Sequence, residues 1–424
     1  MKANYLILLV CVGAPALQAQ TSKTPAAAVL VLEKDQNTLV IIDAASLKVV
    51  GRVPVGNDPH EVAVSDDGRT AYVSNYGAFG RGGGGATIAV VDLTTQKALA
   101  PIDLGALRAP HGVAFAGGKL YFTAEGAKVV GRYDPSTRKI DWVIGTGQDR
   151  THMVVVSKDL KTVFTSNVSS ATVSVIEERA APLPGGRGAG GPPGPGAPRR
   201  PGGPGGAGRG GPPAADWTVT NIPVGRGSEG FDLSPDGKEL WVANAQDATV
   251  SVVDVASRRV VQTIPSTKSA NRLKFTPDGK YVFVSDLNGN ELLVLDAASR
   301  KEFKRIVLPG NSEGLLMTPD ALHAYTTLNS RDAVAVIDLK TMTVTGEVKD
   351  RERARRARLG RPQVTLPPLL PFKAGGYSAA RSEVAPTVRR AASRMLRKAR
   401  SCRPSARIST GTITGTGSTT PPKS

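Results

Sequence analysis

The chain has 424 residues, 40% of them hydrophobic and 5% aromatic, with two cysteines and a formal net charge of +18. Two cysteines exclude a disulfide framework, a CxxC redox pair and a cysteine-built zinc site. The charge is confined to two stretches: residues 350 to 424 hold seventeen Lys and Arg against three Asp and Glu, and 179 to 215 hold five Arg and no acid, so the near-neutral remainder gives no electrostatic argument for nucleic acid or an anionic membrane.

At the amino terminus Lys2 precedes the apolar run "YLILLVCV", and "ALQAQ" offers the small residue Ala19 at a cleavage point. This is the pattern of a secretory signal peptide over 1–19, too short for a permanent membrane span. Cys11 would leave with it. A lipoprotein reading of Cys11 is weaker, because Val10 stands where a small residue is wanted. No other apolar run reaches membrane length. The expectation is therefore an exported monomer, periplasmic or secreted.

From residue 20 to 349 a repeat organises the chain. The segments "DPHEVAVSDDGRTAYVSN" from 58, "APHGVAFAGGKLYFTAEG" from 109, "RTHMVVVSKDLKTVFTSN" from 150, "GSEGFDLSPDGKELWVAN" from 227, "SANRLKFTPDGKYVFVSD" from 269 and "NSEGLLMTPDALHAYTTL" from 311 align. Each reads as a short alternating strand, a hairpin turn of the Pro-Asp-Gly kind, and a second strand rich in β-branched and aromatic residues. A third strand ending in Asp follows, as in "TVSVVD", and then a fourth, as in "VVQTIP". The position after each opening turn falls at His60, His111, His152, Glu229, Asn271 and Glu313, in steps of 51, 41, 77, 42 and 42. The long step contains the Gly/Pro-rich stretch of 180–215, and without it the period is about 42. That length with four strands predicts an all-β fold, a seven-bladed β-propeller of four-stranded blades.

Units of this form resemble the YVTN β-propeller repeat family through "YVSN", "FTSN", "WVAN" and "FVSD", together with "SPDGKELWVAN" and "TPDGKYVFVSD". The resemblance spans roughly 28 to 349 and implies an exported propeller closed by a blade shared between the two ends of the chain. Three strands before His60, "AAVLVLEK", "TLVIIDA" and "KVVGRVPVG", supply strands two to four of that blade. The first strand is then expected from the carboxyl end, beginning near 355. The insertion at 180–215 lacks apolar residues and a strict Gly-X-Y period, so it reads as a surface loop.

First strands of propeller blades line the central channel, so His60, His111, His152, Glu229, Asn271 and Glu313 are expected to form a ring. Three of the chain's four histidines stand in it. Imidazoles and carboxylates converging on a channel suit a divalent metal such as Zn²⁺, Fe²⁺ or Mn²⁺, with His60, His111 and His152 as the candidate ligands. The competing reading is a ring that lines the channel mouth for a small molecule or protein partner. Asn75, Asn167, Asn244 and Asp286 end second strands and read as turn caps. Glu125 stands as the exception at that place and so as a ligand contact, while Arg150 and Arg272, beside ring positions, are placed to hold an anionic group. Asp92, Asp254, Asp296 and Asp338 recur with the repeat and read as turn residues. No HExxH motif occurs. These observations favour a binding or scaffolding propeller. The alternative, which the resemblance also admits, is a lactonase-like or lyase-like enzyme with a channel metal.

At 355, where the repeat demands a strand, the chain offers "KDRERARRARLGR" instead. Codons permitted for residues 350 to 361, read one base out of register, spell TGSGPDGLAWA, a repeat opening that parallels "PHGVAFA". The expectation is that 350–424 is out of frame. A genuine basic tail that attracts polyanions is the rival. Resequencing the gene across these codons decides: a single-base correction restores the repeat, and an intact frame makes the basic tail a real feature.

Overall fold

The computed structural model describes residues 7–11, 25, 27–77, 84–179 and 216–349. Among them the chain forms seven antiparallel sheets of four strands each, and helix is limited to two three-residue 3-10 turns, Lys34–Gln36 and Glu125–Ala127. This is a seven-bladed β-propeller, as the repeat predicts. No helix among the described residues is long and apolar enough to cross a membrane.

The inner strands of blades 1 to 7 are Ile7–Cys11, Pro59–Val64, Pro110–Ala116, Thr151–Val156, Ser228–Leu233, Ala270–Phe275 and Ser312–Met317. Second strands such as Thr70–Asn75 and Tyr281–Asp286 are buried at every position but the first, whereas outer strands such as Lys97–Asp103 are largely exposed. That gradient explains why "YVFVSD" is nearly all apolar while "KEFKRIV" carries charge. Apolar side chains of adjacent blades pack into shared clusters, for example Leu30, Ile41, Val73 and Val91, or Trp241, Val250, Leu273 and Val284. Turn residues fall where expected. Asp92, Asp254, Asp296 and Asp338 each accept a backbone N–H two or three residues on, at 2.7–2.8 Å.

A bulge shapes the channel wall. In blades 2 to 7 the pairing of inner and second strands shifts register around the ring residue, as between Pro59 and Val62 or Ser312 and Leu315. The shift leaves the backbone N–H after the ring residue without a sheet partner. A second-strand hydroxyl takes it: Ser74 Oγ accepts from Glu61 N at 3.0 Å, Thr123 Oγ1 from Gly112 N at 2.8 Å and Ser285 Oγ from Arg272 N at 2.9 Å. These hydroxyls, with that of Ser166, then donate to the carbonyl of the next blade's ring residue. Ser74 reaches His111 O, Thr123 reaches His152 O and Ser166 reaches Glu229 O, each at 2.6 Å, and Ser285 reaches Glu313 O at 2.8 Å. The third letter of the "YVSN" motif is thus a bridge between blades. Ala243 stands at that place in blade 5 and cannot make it.

The residue after each ring position alternates between large and absent side chains: Glu61, Gly112, Met153, Gly230, Arg272, Gly314. A Cβ at Gly112 would lie 2.5 Å from His152 O, and one at Gly230 would lie 2.7 Å from Asn271 O. Neighbouring inner strands approach too closely for any side chain there.

Blade 1 departs from expectation. Its inner place is filled from the amino-terminal side, by Ile7–Cys11, antiparallel to Ala27–Glu33 with Ile7 opposite Val31 and Cys11 opposite Ala27. The strand expected from the carboxyl end is not the one found there. "ILLVC" is an unbroken apolar run of strand length, and its pairing satisfies the backbone edge of Ala27–Glu33. The remainder of 1–19, the insertion 180–215 and the segment 350–424 lie outside the described residues.

Gly112→Ala is expected to destabilise the protein by about 1–3 kcal/mol through overpacking, whereas Gly145→Ala, where a Cβ meets nothing within 4 Å, leaves stability unchanged. Denaturant unfolding of the two variants checks both.

Candidate functional site at the channel mouth

Every ring residue is the second residue of its inner strand, just inside the bulge, so the fold delivers all six to one end of the channel. The structure then divides them. His60, His111 and His152, from consecutive blades, form a row of ring contacts: the His60 and His111 centroids are 4.7 Å apart, edge to face, and those of His111 and His152 are 3.7 Å apart, tilted by 31°. Tyr76 extends the row, 4.4 Å from His60. Glu229 joins the group, with Oε2 2.8 Å from His152 Nε2. Asn271 and Glu313 stand apart from it. Asn271 accepts from Arg272 Nη1 at 3.3 Å, and Glu313 accepts from Asn329 Nδ2 at 2.7 Å with Lys34 Nζ 3.8 Å away.

Glu125 sits deeper in the group than the repeat suggested. Its second strand ends at Ala124, which matches Asn75, so Glu125 is one residue further on, level with Tyr76. The 3-10 turn it opens directs its carboxylate inward, where it is 3% exposed. Oε1 lies 2.6 Å from His152 Nδ1, Oε2 accepts from the Tyr76 hydroxyl at 2.6 Å, and Arg150 Nε is 3.6 Å from Oε2. The capping reading holds for Asn75 and Asp286, which accept from Gly56 N and Ser269 N. Asn167 and Asn244 instead bond side chains, donating to the hydroxyls of Thr172 and Thr249 and of Ser174 and Ser251.

The charge pattern is continuous. Arg272 donates through Nη2 to Glu61 Oε1 at 2.9 Å, and its Nη1 lies 3.7 Å from Glu229 Oε2. Glu61, Arg272, Glu229, His152 and Glu125 alternate in sign and run across the channel from blade 2 through blades 6, 5 and 4 to blade 3. Burial opposes charge on His152, but Glu229 and Glu125 outweigh it and raise its pKa. Burial also opposes charge on Glu229, but His152 and Arg272 pull its pKa down to about 2. Glu125 is lowered too, its burial outweighed by the bond and charge of His152. Burial pushes Glu61 up against the pull of Arg272. His60 and His111, desolvated and facing other cations, are held well below the ordinary histidine range. The surroundings thus bias His152 towards its charged form and His60 and His111 towards their neutral forms.

One ring nitrogen has unspent capacity. His111 Nδ1 is buried with no hydrogen-bond partner, whereas His152 Nε2 is ion-paired with Glu229 Oε2 at 2.8 Å. One atom each of His111, Glu125 and His152 lie within 4.8 Å of one another, a cluster able to hold a metal ion. The expected set of three histidines is thereby altered. His60 turns its Nδ1 to Asp58 O at 3.0 Å, and Glu125 takes its place in the cluster. Beyond the ring the channel continues as a cavity of about 320 Å³, bounded by Glu61 and Arg272 and by apolar walls including Val113, Phe115, Met153 and Leu316. Glu61 and Tyr76 were missed in the sequence. Opposite charges at the same repeat position, Glu61 and Arg272, were the available signal for the first.

No protein-family model matches the sequence, and no curated protein matches it. Among solved structures the chain is similar in fold to dihydro-heme d1 dehydrogenase NirN in complex with DHE, with a TM-score of 0.53 at 16% identity, over 79% of this chain and 65% of that one. The chain thus spans less than two thirds of that protein's length. It is also similar to a functionally unknown protein from Desulfotomaculum acetoxidans, with a TM-score of 0.55 at 12% identity, over 75% of this chain and 94% of that one. At these identities the likeness is one of fold.

The pKa directions set a pH dependence. His152, raised when folded, contributes stability that is present below the unfolded value near 6.5 and lost as pH rises through its folded pKa. His60 and His111, lowered when folded, make stability fall as pH drops below about 6.5, because only the unfolded state takes up their protons. Denaturation midpoints are expected to decline on both sides of that pH, with the alkaline arm abolished in His152→Gln and the acid arm reduced in His111→Gln.

Proposed function

We propose that this is an exported binding propeller of the YVTN type, acting in the periplasm or outside the cell as a monomer that holds a small molecule, or a protein partner's side chain, at the channel mouth. The observation that carries the reading is a buried ring nitrogen with unspent hydrogen-bonding capacity, His111 Nδ1, in a channel that also holds a cavity of about 320 Å³. Glu61, Asp232, Arg272 and Lys274 line that cavity together with apolar side chains, so it offers both charged and apolar contacts to a ligand. The signal-like sequence of 1–19 supports export, and its removal would free the inner place of blade 1, filled here by Ile7–Cys11, for the strand expected from the carboxyl end; the repeat motifs support the YVTN assignment. A ligand of this kind would present hydrogen-bonding atoms to the ring and an apolar body to the channel.

A second reading, a lactonase-like or lyase-like enzyme with a divalent metal, is favoured by one observation, the cluster of His111, Glu125 and His152. Propellers support many activities, so the fold does not choose between the two. Native mass spectrometry of protein purified from the exported fraction tests the binding reading. A non-protein mass released on denaturation is expected from the wild type and not from Glu125→Gln. Release of the same mass from both, or from neither, contradicts it.

A further inference from the structure

We propose that His111, Glu125 and His152 form a site for one divalent first-row transition metal ion, with a further coordination position open to water or to an oxygen of an anionic ligand. The proposal rests on the channel-mouth reading above and assigns that site its chemistry.

A purely structural network explains much of the mouth, but it does not explain His111. His152 is held by Glu125 and Glu229, Arg272 by Glu61, and Glu125 by Tyr76. His111 is 3% exposed, has its ring 3.7 Å from that of His152, and has no partner at Nδ1. Buried polar atoms without partners are rare, and a missing ion is one of their few explanations. A ring nitrogen of His111 lies within 4.8 Å of one of His152 and of a Glu125 carboxylate oxygen, a spacing that a single ion can bring together.

The surroundings complete the pattern. Metal-bound histidines characteristically give their other nitrogen to a carboxylate, and bound carboxylates are themselves hydrogen-bonded. With an ion taking the place of the proton between His152 Nδ1 and Glu125 Oε1, Glu229 stands 2.8 Å from Nε2, and the Tyr76 hydroxyl stays 2.6 Å from Glu125 Oε2. Glycines tighten the wall on which the donors are set, since Gly112 lets the blade 3 strand approach His152. Two imidazoles and one carboxylate suit Zn²⁺ or Fe²⁺ and leave at least one position vacant on either ion. Arg150, 3.6 Å from Glu125, and Arg272, 3.7 Å from Glu229, border the site with positive charge, which favours an anionic oxygen donor there.

The test uses the full chain, stripped of metal with a chelator and reloaded with Zn²⁺ or, anaerobically, with Fe²⁺. The wild type is expected to retain one ion per chain after desalting. His111→Ala and Glu125→Gln are expected to lose it, His60→Ala to keep it, and Tyr76→Phe to bind about 10- to 100-fold more weakly. Visible absorption of the Co²⁺-loaded wild type gives an independent reading that no variant's folding affects, with ligand-field bands expected. A wild type that retains no ion and shows no such bands overturns the proposal, as does equal loss in His60→Ala and His111→Ala. If an organic mass co-purifies without metal, only the metal site fails. If metal is retained with no organic mass, only the small-molecule reading fails.

Discussion

The ion pair between Arg272 and Glu61 spans the channel. It ties blade 6 to blade 2 past blades 7 and 1, and both residues are more than nine-tenths buried. Charges so placed are costly unless each is matched, and here each is. Arg272 also faces Glu229, Glu229 faces His152, and His152 bonds Glu125. The alternation of sign means that no member can be neutralised alone without leaving a buried neighbour uncompensated. The mouth's geometry follows from this chain, including the position of His152 between two carboxylates and the tilted contact of His111 against it.

A simpler constraint places these groups. The bulge in each inner strand from blade 2 to blade 7 frees one backbone N–H, and a second-strand hydroxyl accepts that N–H in five of these blades; four of the hydroxyls also reach the next blade's ring carbonyl. One small side chain thereby fixes the local bulge and the spacing between blades. The large and small alternation after the ring has the same origin. Where Gly112 and Gly230 permit close approach, Met153 and Arg272 extend into the room beside them.

The fold was legible because strand alternation, turn chemistry and the period of about 42 all agreed, from "SPDGKELWVAN" to "TPDGKYVFVSD". The ring was legible for the same reason, since one repeat position carries His60, His111, His152, Glu229, Asn271 and Glu313. Side-chain direction was not. Periodicity places a residue at the mouth but does not show that His60 turns back to Asp58 O, or that Glu125 enters from a turn to take its place among the candidate ligands. Tyr76 lay one residue beyond the motif and carried no pattern of its own. Blade 1 differs from the repeat because "ILLVC" carries two signals at once, an export core and an apolar strand, and in the chain as it stands it fills the place that the repeat assigns to a carboxyl-terminal strand.

A double-mutant cycle on Glu61 and Arg272, read by denaturant unfolding, tests most directly whether a matched charge chain across the channel governs this architecture. The account predicts that Glu61→Gln and Arg272→Met each destabilise by about 3–5 kcal/mol, while the double variant loses far less than their sum. Additivity to within about 0.5 kcal/mol would contradict it, because it would mean that neither charge depends on the other.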